Sequence, residues 1–199
     1  MSQRGTFLVF EGIDVSGKST QARRMAELHD ALFTFEPGDT SLGVNLRHWL
    51  LDADTPMEPQ TEALLMLSDR SHHVASVIEP ALRAGRSVVS DRYFASTLAY
   101  QGYGRGVDLA LLQSASDLAI GSCRADATVL LDVPLEVVNE RRAHNKKDRF
   151  ESADAAFHER VREGYLEIAE RDDWIVVDGS PSPEEVARML DEQLAHLAW

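Results

Sequence analysis

The chain has a single cysteine, few basic residues and no long apolar run, and each shortage excludes a class of protein. Cys123 is the one cysteine among 199 residues, so no internal disulfide can form. Neither a basic-then-apolar leader nor a run of about 18 apolar residues occurs, which disfavours secretion and a membrane helix. We therefore expect a cytoplasmic protein with no membrane partner and a chemically inert Cys123.

Basic residues are outnumbered: 20 Lys and Arg stand against 33 Asp and Glu, giving a formal net charge of −13. This charge repels duplex nucleic acid as well as anionic membranes, so we expect no nucleic-acid partner. Any anionic substrate must be met by locally concentrated cations. The hydrophobic content of 44%, without a repeat or linker, predicts one globular domain over residues 1–199.

The most informative stretch, residues 7–20, reads F-L-V-F-E-G-I-D-V-S-G-K-S-T. An apolar segment with strand character enters the complete pattern G-x-x-x-x-G-K-[ST], which predicts a strand, a phosphate-binding loop and a helix start. Glycine leaves room for backbone N–H groups to approach phosphate oxygens, Lys18 supplies a charge for the β- and γ-phosphates, and Ser19 a hydroxyl for Mg²⁺. The alternative is a chance match, which the preceding strand disfavours. The predicted ATP-binding residues are Gly12, Ile13, Asp14, Val15, Ser16, Gly17, Lys18, Ser19 and Thr20.

Short apolar stretches alternate with helical patterns along the rest of the chain. Strands are predicted at residues 7–10, 31–35, 87–90, 127–133 and 174–177. Helices are predicted at 19–30, around 42–51 and at 58–83, where Pro80 should kink or shorten the helix end. This alternation predicts an α/β fold of the P-loop NTPase type: a parallel five-stranded sheet with helices on both faces.

Two charged pairs are further site candidates. Asp91-Arg92 follows the third predicted strand directly, where open parallel sheets bind ligands; the alternative is a surface ion pair that caps the next helix. Asp69-Arg70 lies among apolar residues of the long helix, and a buried arginine there could bind either a carboxylate or a phosphate. The neighbouring His72-His73 pair is expected to be solvated rather than metal-binding, because adjacent helix positions diverge.

Residues 141–149, R-R-A-H-N-K-K-D-R, hold five of the chain's Lys and Arg residues. A solvated charge run is the common meaning of such a stretch. In a chain of this negative charge with a phosphate-binding loop, we favour a mobile basic lid, at about 141–151, that closes over phosphates.

Together these motifs resemble the thymidylate kinase family, nucleoside monophosphate kinases of the P-loop class. The resemblance covers nearly the whole chain and is carried by F-E-G-I-D-x-x-G-K-S-T at 10–20, E-P-G-x-T at 36–40, L-L-x-x-x-D-R at 64–70, D-R-Y-x-x-S-T-x-A-Y-Q-G at 91–102, L-D-V-P at 131–134 and D-R-x-E at 148–151. It implies transfer of the ATP γ-phosphoryl group to dTMP, giving dTDP, with Mg²⁺ and in a homodimer.

The resemblance also implies roles for individual residues. Asp14 would meet the sugar 3′-hydroxyl, Arg70 and Arg92 the monophosphate, and Gln101 with Ser96 or Tyr100 the base edge, while Ser19 and Asp91 are the metal candidates. Between Gly12 and Lys18 the loop has no basic residue, so the lid arginines Arg142 and Arg149 are expected to meet transition-state charge. The predicted catalytic residues are Lys18, Arg92, Arg142 and Arg149. The predicted substrate-binding residues are Asp14, Phe35, Pro37, Met66, Arg70, Arg92, Ser96, Tyr100 and Gln101.

The chain departs from the family pattern at four positions. Phe35 stands where an arginine is common, Met66 where an aromatic base-stacking residue is common, and Val15 and Asp39 where glycines are common. Because of Phe35 and Met66, a kinase for another pyrimidine monophosphate or a deoxynucleoside remains an alternative. A third hypothesis is a P-loop switch protein that hydrolyses ATP slowly and signals through a partner.

Overall fold

The computed structural model describes residues 4–142, 149–150 and 153–199. Within these residues the core is a parallel five-stranded sheet with the order β2-β3-β1-β4-β5. Its strands are β1 (Phe7–Glu11), β2 (Leu32–Phe35), β3 (Val88–Asp91), β4 (Ala127–Asp132) and β5 (Ile175–Asp178). The predicted fold class is confirmed, and the predicted strand ends differ from the observed ones by one residue.

Helices cover both faces of the sheet. They are α1 (Lys18–Leu28), α2 (Ser41–Leu51), α3 (Pro59–His73), α4 (Glu79–Arg83), α5 (Phe94–Thr97), α6 (Leu109–Ile120), α7 (Leu135–Arg142), α8 (Ala155–Arg171) and α9 (Pro183–Gln193). π-helical segments at Val74–Ile78 and Leu98–Gly104 follow α3 and α5. In the described part of the chain, no helix combines the length and the apolar character that crossing a membrane requires.

The predicted long helix at 58–83 is present. Pro80 does not end it; instead the helix widens for one turn before the proline. Proline has no N–H, so the carbonyl four residues before it cannot form its usual helical bond. The chain widens into the π-helical segment Val74–Ile78 immediately before Pro80, and the Glu79 N–H bonds the Val74 carbonyl. A π-turn satisfies the backbone with five-residue spacing, which lets the helix continue through α4.

The strands are buried because apolar side chains project from both faces of the sheet and pack against helices. Leu8 and Phe10 pack with Met25 of α1 on one face, and Phe7 and Val9 pack with helical residues on the other. Burying one such side chain stabilises the fold by about 1.5–3 kcal/mol. The two apolar layers fix the sheet in the middle of the domain, so its carboxyl edge presents polar residues in register.

That edge positions the candidate site. Phe10 of β1 and Phe35 of β2 are both in register with Asp91 of β3. The three segments that follow these strands therefore emerge side by side. They are the phosphate-binding loop, the E-P-G loop (residues 36–38) and the Asp91-Arg92 segment, the same three stretches that the sequence identified.

Candidate active site

The phosphate-binding loop has a backbone that depends on left-handed residues. Gly12 has a φ of +142°, and a Cβ there would lie 2.6 Å from the Leu131 carbonyl oxygen. Gly17, the residue before α1, has a φ of +94°, and its need for glycine is conformational because a Cβ would meet nothing within 4 Å. Val15 has a φ of +59°, which is strained for a β-branched residue. Val15 thus adopts the left-handed conformation at a position where the family commonly has glycine.

Lys18 begins helix α1 and is almost completely buried. Its Nζ lies 3.8 Å from Asp14 Oδ1 within the loop. Burial and the nearby charge of Arg92 lower the pKa of Lys18, although three carboxylates act in the opposite direction. A phosphate bound in the loop would add negative charge and stabilise the ammonium form.

Ser19 and Asp91, the two predicted metal ligands, are in direct contact. The Ser19 hydroxyl donates to Asp91 Oδ2. The other oxygen, Oδ1, is buried and has no hydrogen-bond partner among the described residues. A buried carboxylate oxygen next to a hydroxyl fits a hard cation, and Mg²⁺ commonly combines one or two protein oxygens with nucleotide phosphates. The described residues contain no group of three His, Cys, Asp or Glu able to hold a metal without such phosphates.

Arg92 joins the phosphate-binding loop to the opposite wall of the site. Its guanidinium donates to Asp14 Oδ1 at 2.5 Å, to the Gly12 carbonyl at 3.0 Å and to the Tyr165 hydroxyl at 3.0 Å. Arg92 has a φ of +76°, a costly conformation that the surrounding bonds maintain. Because Asp91 and Arg92 are largely buried and bind other partners, the alternative of a surface ion pair is wrong.

Electrostatics around Asp14 follow from this contact. Burial alone would raise the pKa of Asp14, but Arg92 and Lys18 outweigh it and hold the pKa well below its usual range. The Tyr100 hydroxyl donates to the second carboxylate oxygen at 2.9 Å. Asp14 is therefore an ionised acceptor within a cationic wall.

Glu11 and Tyr165 belong to this wall, and sequence reasoning did not assign them a role. The carboxylate of Glu11 is fully buried and accepts bonds from the Tyr93 and Ser96 N–H groups, from the Ser96 hydroxyl and from the Tyr165 hydroxyl. Burial raises its pKa despite these donors. Glu11 thereby anchors the start of α5 and the Tyr165 side chain of α8 to the end of β1.

Arg70 is buried, as its apolar neighbours predicted. The sequence left open whether its partner is a carboxylate or a phosphate, and in the structure it pairs with the carboxylate of Glu36. Its Nε donates to Glu36 Oε2 at 2.7 Å, Nη1 to Thr97 Oγ1 at 2.8 Å and Nη2 to the Tyr93 carbonyl at 2.9 Å. These bonds use three of the five N–H groups of a guanidinium. The proposed contact with a substrate stays a prediction.

An open cavity of about 790 Å³ lies between these walls. We call it the acceptor cavity because its lining holds the residues predicted to bind the phosphoryl acceptor. It is lined by Asp14, Phe35, Pro37, Met66, Arg70, Arg92, Ser96, Tyr100 and Gln101, together with Lys18, Ser19 and Asp91. The structure thus brings every predicted substrate-binding residue to one cavity beside the phosphate-binding loop.

Residues that the sequence did not identify also line the acceptor cavity. The Arg47 guanidinium lies 5.6 Å from the Phe35 ring centroid and donates to the Pro37 carbonyl at 2.6 Å. Phe150 packs its ring edge-on against Tyr100, with centroids 5.4 Å apart. Neither contact could be inferred from a local pattern, because each joins segments that are distant in sequence or unrelated by periodicity.

A second cavity of about 550 Å³ lies on the phosphate-binding loop and contains none of the predicted substrate-binding residues. Its lining includes Val15, Thr20, Arg141, Gly179 and Pro183. Arg141 donates to the carbonyls of Val15 and Gly179. The sequence had placed Arg141 only within the basic cluster.

Most of the predicted lid at 141–151 lies outside the described residues, as do the Arg142 side chain and the sequence 143–148. Arg149 is described, and its guanidinium donates to the carbonyls of Leu50 at 3.0 Å and Asp52 at 2.7 Å, at the end of helix α2. A cation is favoured there by the helix dipole. The catalytic roles of Arg142 and Arg149 stay predictions.

The sequence interpretation of the histidine pair was wrong for one member. His72 is exposed, as predicted, whereas His73 is fully buried and bonds Glu36 and Thr34. Adjacent positions on a helix do diverge, and here the divergence sends one ring to solvent and the other into the protein.

Comparison with known proteins identifies the family. The family model described as thymidylate kinase matches residues 10–190. The chain is 47% identical over 189 residues to the thymidylate kinase of Carboxydothermus hydrogenoformans, covering 92% of this chain and 93% of the relative. The chain belongs to the thymidylate kinase family. It is therefore a transferase of the nucleoside monophosphate kinase type.

Further relatives agree over nearly the whole length. Identity to the thymidylate kinase of Nitratidesulfovibrio vulgaris is 44% over 198 residues, covering 92% of this chain and 88% of the relative. The crystal structure of thymidylate kinase from Ehrlichia chaffeensis superposes with a TM-score of 0.78 at 30% identity, covering 96% of this chain and 99% of that one. The resemblance inferred from the motifs is confirmed, and the hypothesis of a P-loop switch protein that hydrolyses ATP slowly is wrong.

Proposed function

We propose that this chain transfers the γ-phosphoryl group of ATP to dTMP, giving dTDP, within the acceptor cavity. The observation that carries the proposal is the bond between Arg92 and Asp14. Arg92 faces the acceptor cavity and Asp14 belongs to the phosphate-binding loop, so the two phosphate sites share a wall. Phosphoryl transfer requires that arrangement, because donor and acceptor must be held in line while their charge is neutralised.

The donor side is assigned to residues 12–20. Backbone N–H groups of the loop and the start of α1 would hold the ATP phosphates, with Lys18 as the mobile cation. The second cavity, beside Val15 and Arg141, suits the donor nucleoside because it adjoins the loop and contains none of the predicted acceptor residues.

Ser19 and Asp91 would hold Mg²⁺ together with the phosphates of ATP. When bound, the ion would neutralise phosphate charge. Asp91 Oδ1, which has no partner among the described residues, supports this assignment. A buried carboxylate oxygen without a hydrogen-bond donor destabilises the fold unless a cation binds it.

On the acceptor side, Arg92 and Arg70 would bind the monophosphate and Asp14 the sugar 3′-hydroxyl. Gln101, with Ser96 or Tyr100, would read the base edge. The Gln101 amide donates to Glu62 Oε1 at 2.9 Å, which fixes its orientation. Phe35, Pro37 and Met66 line the acceptor cavity and would contact the nucleotide.

We further propose a homodimer formed through α3 and α6, which pack against each other. Leu64 on α3 and Leu111 and Leu118 on α6 are exposed, at 63%, 69% and 86%. The Ser68 and Ser114 hydroxyls bond carbonyls of their own helices, which makes this surface less polar.

Light scattering of the wild type and of Leu118→Glu should give a dimer and a monomer, respectively. A monomeric wild type would contradict the proposal.

The cytoplasmic location stays a sequence-based prediction.

The test of the reaction is a coupled assay of ADP release with dTMP, dUMP, dCMP, UMP and AMP as acceptors. We expect dTMP to give the highest kcat/KM. A preference for another pyrimidine monophosphate would show that Phe35 and Met66 reshape the base site. ADP release that is independent of every acceptor would contradict the proposed transfer.

A further inference from the structure

The E-P-G loop is held by one face of helix α3. His73 follows Asp69 by four positions and Arg70 by three, so its side chain lies beside each of them on the helix surface. The Gly38 N–H donates to Asp69 Oδ2 at 3.1 Å. Arg70 and His73 both reach Glu36, the first residue of the loop.

Glu36 is the residue at which the side chains of Arg70 and His73 meet. Its Oε2 accepts from Arg70 Nε at 2.7 Å, and its Oε1 accepts from His73 Nδ1 at 2.9 Å. All three side chains are at most 2% exposed. A carboxylate so deeply buried is stable only with partners on both oxygens. Burial alone would raise the pKa of Glu36, but Arg70 and His73 outweigh it and keep the pKa lowered.

The opposite edge of the imidazole is also fixed. His73 Nε2 lies 2.5 Å from Thr34 Oγ1, and the Thr34 hydroxyl donates to Asp39 Oδ2 at 2.5 Å. Thr34 precedes the E-P-G loop and Asp39 follows it. The Thr34 hydroxyl therefore links the ring of His73 to Asp39, which stands where the family commonly has glycine.

We propose that His73 is a positioning residue for phosphoryl transfer. By holding Oε1 of Glu36 it orients the carboxylate, and the carboxylate in turn orients the guanidinium of Arg70 in the acceptor cavity. His73 has no exposed surface, so it acts only through these neighbours. The inference rests on the proposed function, in which Arg70 binds the acceptor. Small displacements of a substrate-binding group lower rates strongly, which is why such a support matters.

The first test compares His73→Leu, which removes both ring contacts, with His73→Asn, whose amide can replace Nδ1 as the donor to Glu36. Displacement of the Arg70 guanidinium should raise the KM for dTMP about tenfold in His73→Leu, with little change in the KM for ATP. His73→Asn should restore most of the wild-type KM. His72→Leu, the same substitution at the exposed neighbour, is the control and should change neither value.

Circular dichroism and thermal unfolding establish that each variant is folded before kinetics are measured. If His73→Leu does not fold, His73→Gln replaces it, because its longer amide can keep the contact with Thr34 while losing that with Glu36. A KM for dTMP that stays at the wild-type value in the folded variant, or equal changes for both substrates, would overturn the inference.

The second test separates the inference from the function on which it depends. If His73 acts through Arg70, then His73→Leu should add almost nothing to the KM for dTMP in an Arg70→Ala background. Suppose that Arg70→Ala alone raises the KM for dTMP and that the increase in the double variant is the product of the two single increases. That result would overturn the positioning role of His73 but not the proposed function. No effect of Arg70→Ala on dTMP would overturn the assignment of Arg70 and this inference with it.

Discussion

Replacing Arg92 with lysine perturbs the connection between the two phosphate sites most directly. One guanidinium nitrogen donates to Asp14, while the other donates to the Gly12 carbonyl and to the Tyr165 hydroxyl. Lysine keeps the positive charge but offers one nitrogen in place of the planar fork, so it cannot span both groups. The charge of the site is then unchanged, and any effect reports geometry.

The magnitude follows from the contacts. Loss of one guanidinium hydrogen bond to the charged monophosphate, the contact proposed for Arg92, costs about 1.5–3 kcal/mol, which corresponds to about 10- to 150-fold in affinity. Arg92→Lys should therefore raise the KM for dTMP by a factor in that range. The KM for ATP should change much less, because Lys18 and the loop backbone remain in place.

Steady-state ADP release, with each substrate varied at saturation of the other, measures both constants. Arg162→Lys is the control, since Arg162 pairs with Asp132 and does not line the acceptor cavity. A folded Arg92→Lys enzyme with equal increases in both KM values, or with none, would refute the reasoning.

Four other predictions follow from the same site. Lys18→Ala should lower turnover by orders of magnitude in a folded protein, and near wild-type turnover would remove the donor assignment. Met66→Phe should leave dTMP binding unchanged or tighter, because sulfur contact and ring stacking differ by about 1 kcal/mol or less; calorimetry that shows strong weakening would indicate a reshaped pocket. Arg142→Ala or Arg149→Ala should lower kcat at least about tenfold, whereas an unchanged kcat in the double variant would leave the basic cluster as a solvated charge run. Asp14 has a lowered pKa, so its stabilisation is present above its usual pKa of 3.8 and is lost as pH falls through the lower folded value. Below about pH 4, denaturant unfolding should therefore show a larger loss of stability in the wild type than in Asp14→Asn, and parallel losses would contradict this.

The sequence predicted the parts of the site that follow strands. The phosphate-binding loop, the E-P-G loop and Asp91-Arg92 each come directly after an apolar stretch. Because strand ends in a parallel sheet emerge at one edge, their proximity could be deduced from their order alone. Residues such as Met66 and Gln101 came from motif resemblance, and the structure places both at the acceptor cavity.

The remaining contacts join residues that no local pattern connects. Glu11 and Tyr165 are 154 positions apart, and the partners of Arg141 and Arg149 are mainly backbone carbonyls, which carry no sequence signal. His73 could not be told from His72 because burial depends on which helix face meets the E-P-G loop. The π-helical turn before Pro80 likewise requires knowledge that packing favours continuation of the helix over a stop.

The central claim is that the γ-phosphoryl group is transferred directly from ATP, bound at the phosphate-binding loop, to dTMP in the acceptor cavity. Phosphorus NMR of the enzyme with ATP, Mg²⁺ and dTMP measures this transfer, because it distinguishes dTDP from inorganic phosphate. The account predicts that dTDP and ADP form in equal amounts, with no inorganic phosphate and no ATP loss when dTMP is omitted. Release of inorganic phosphate at the same rate with and without dTMP would contradict it.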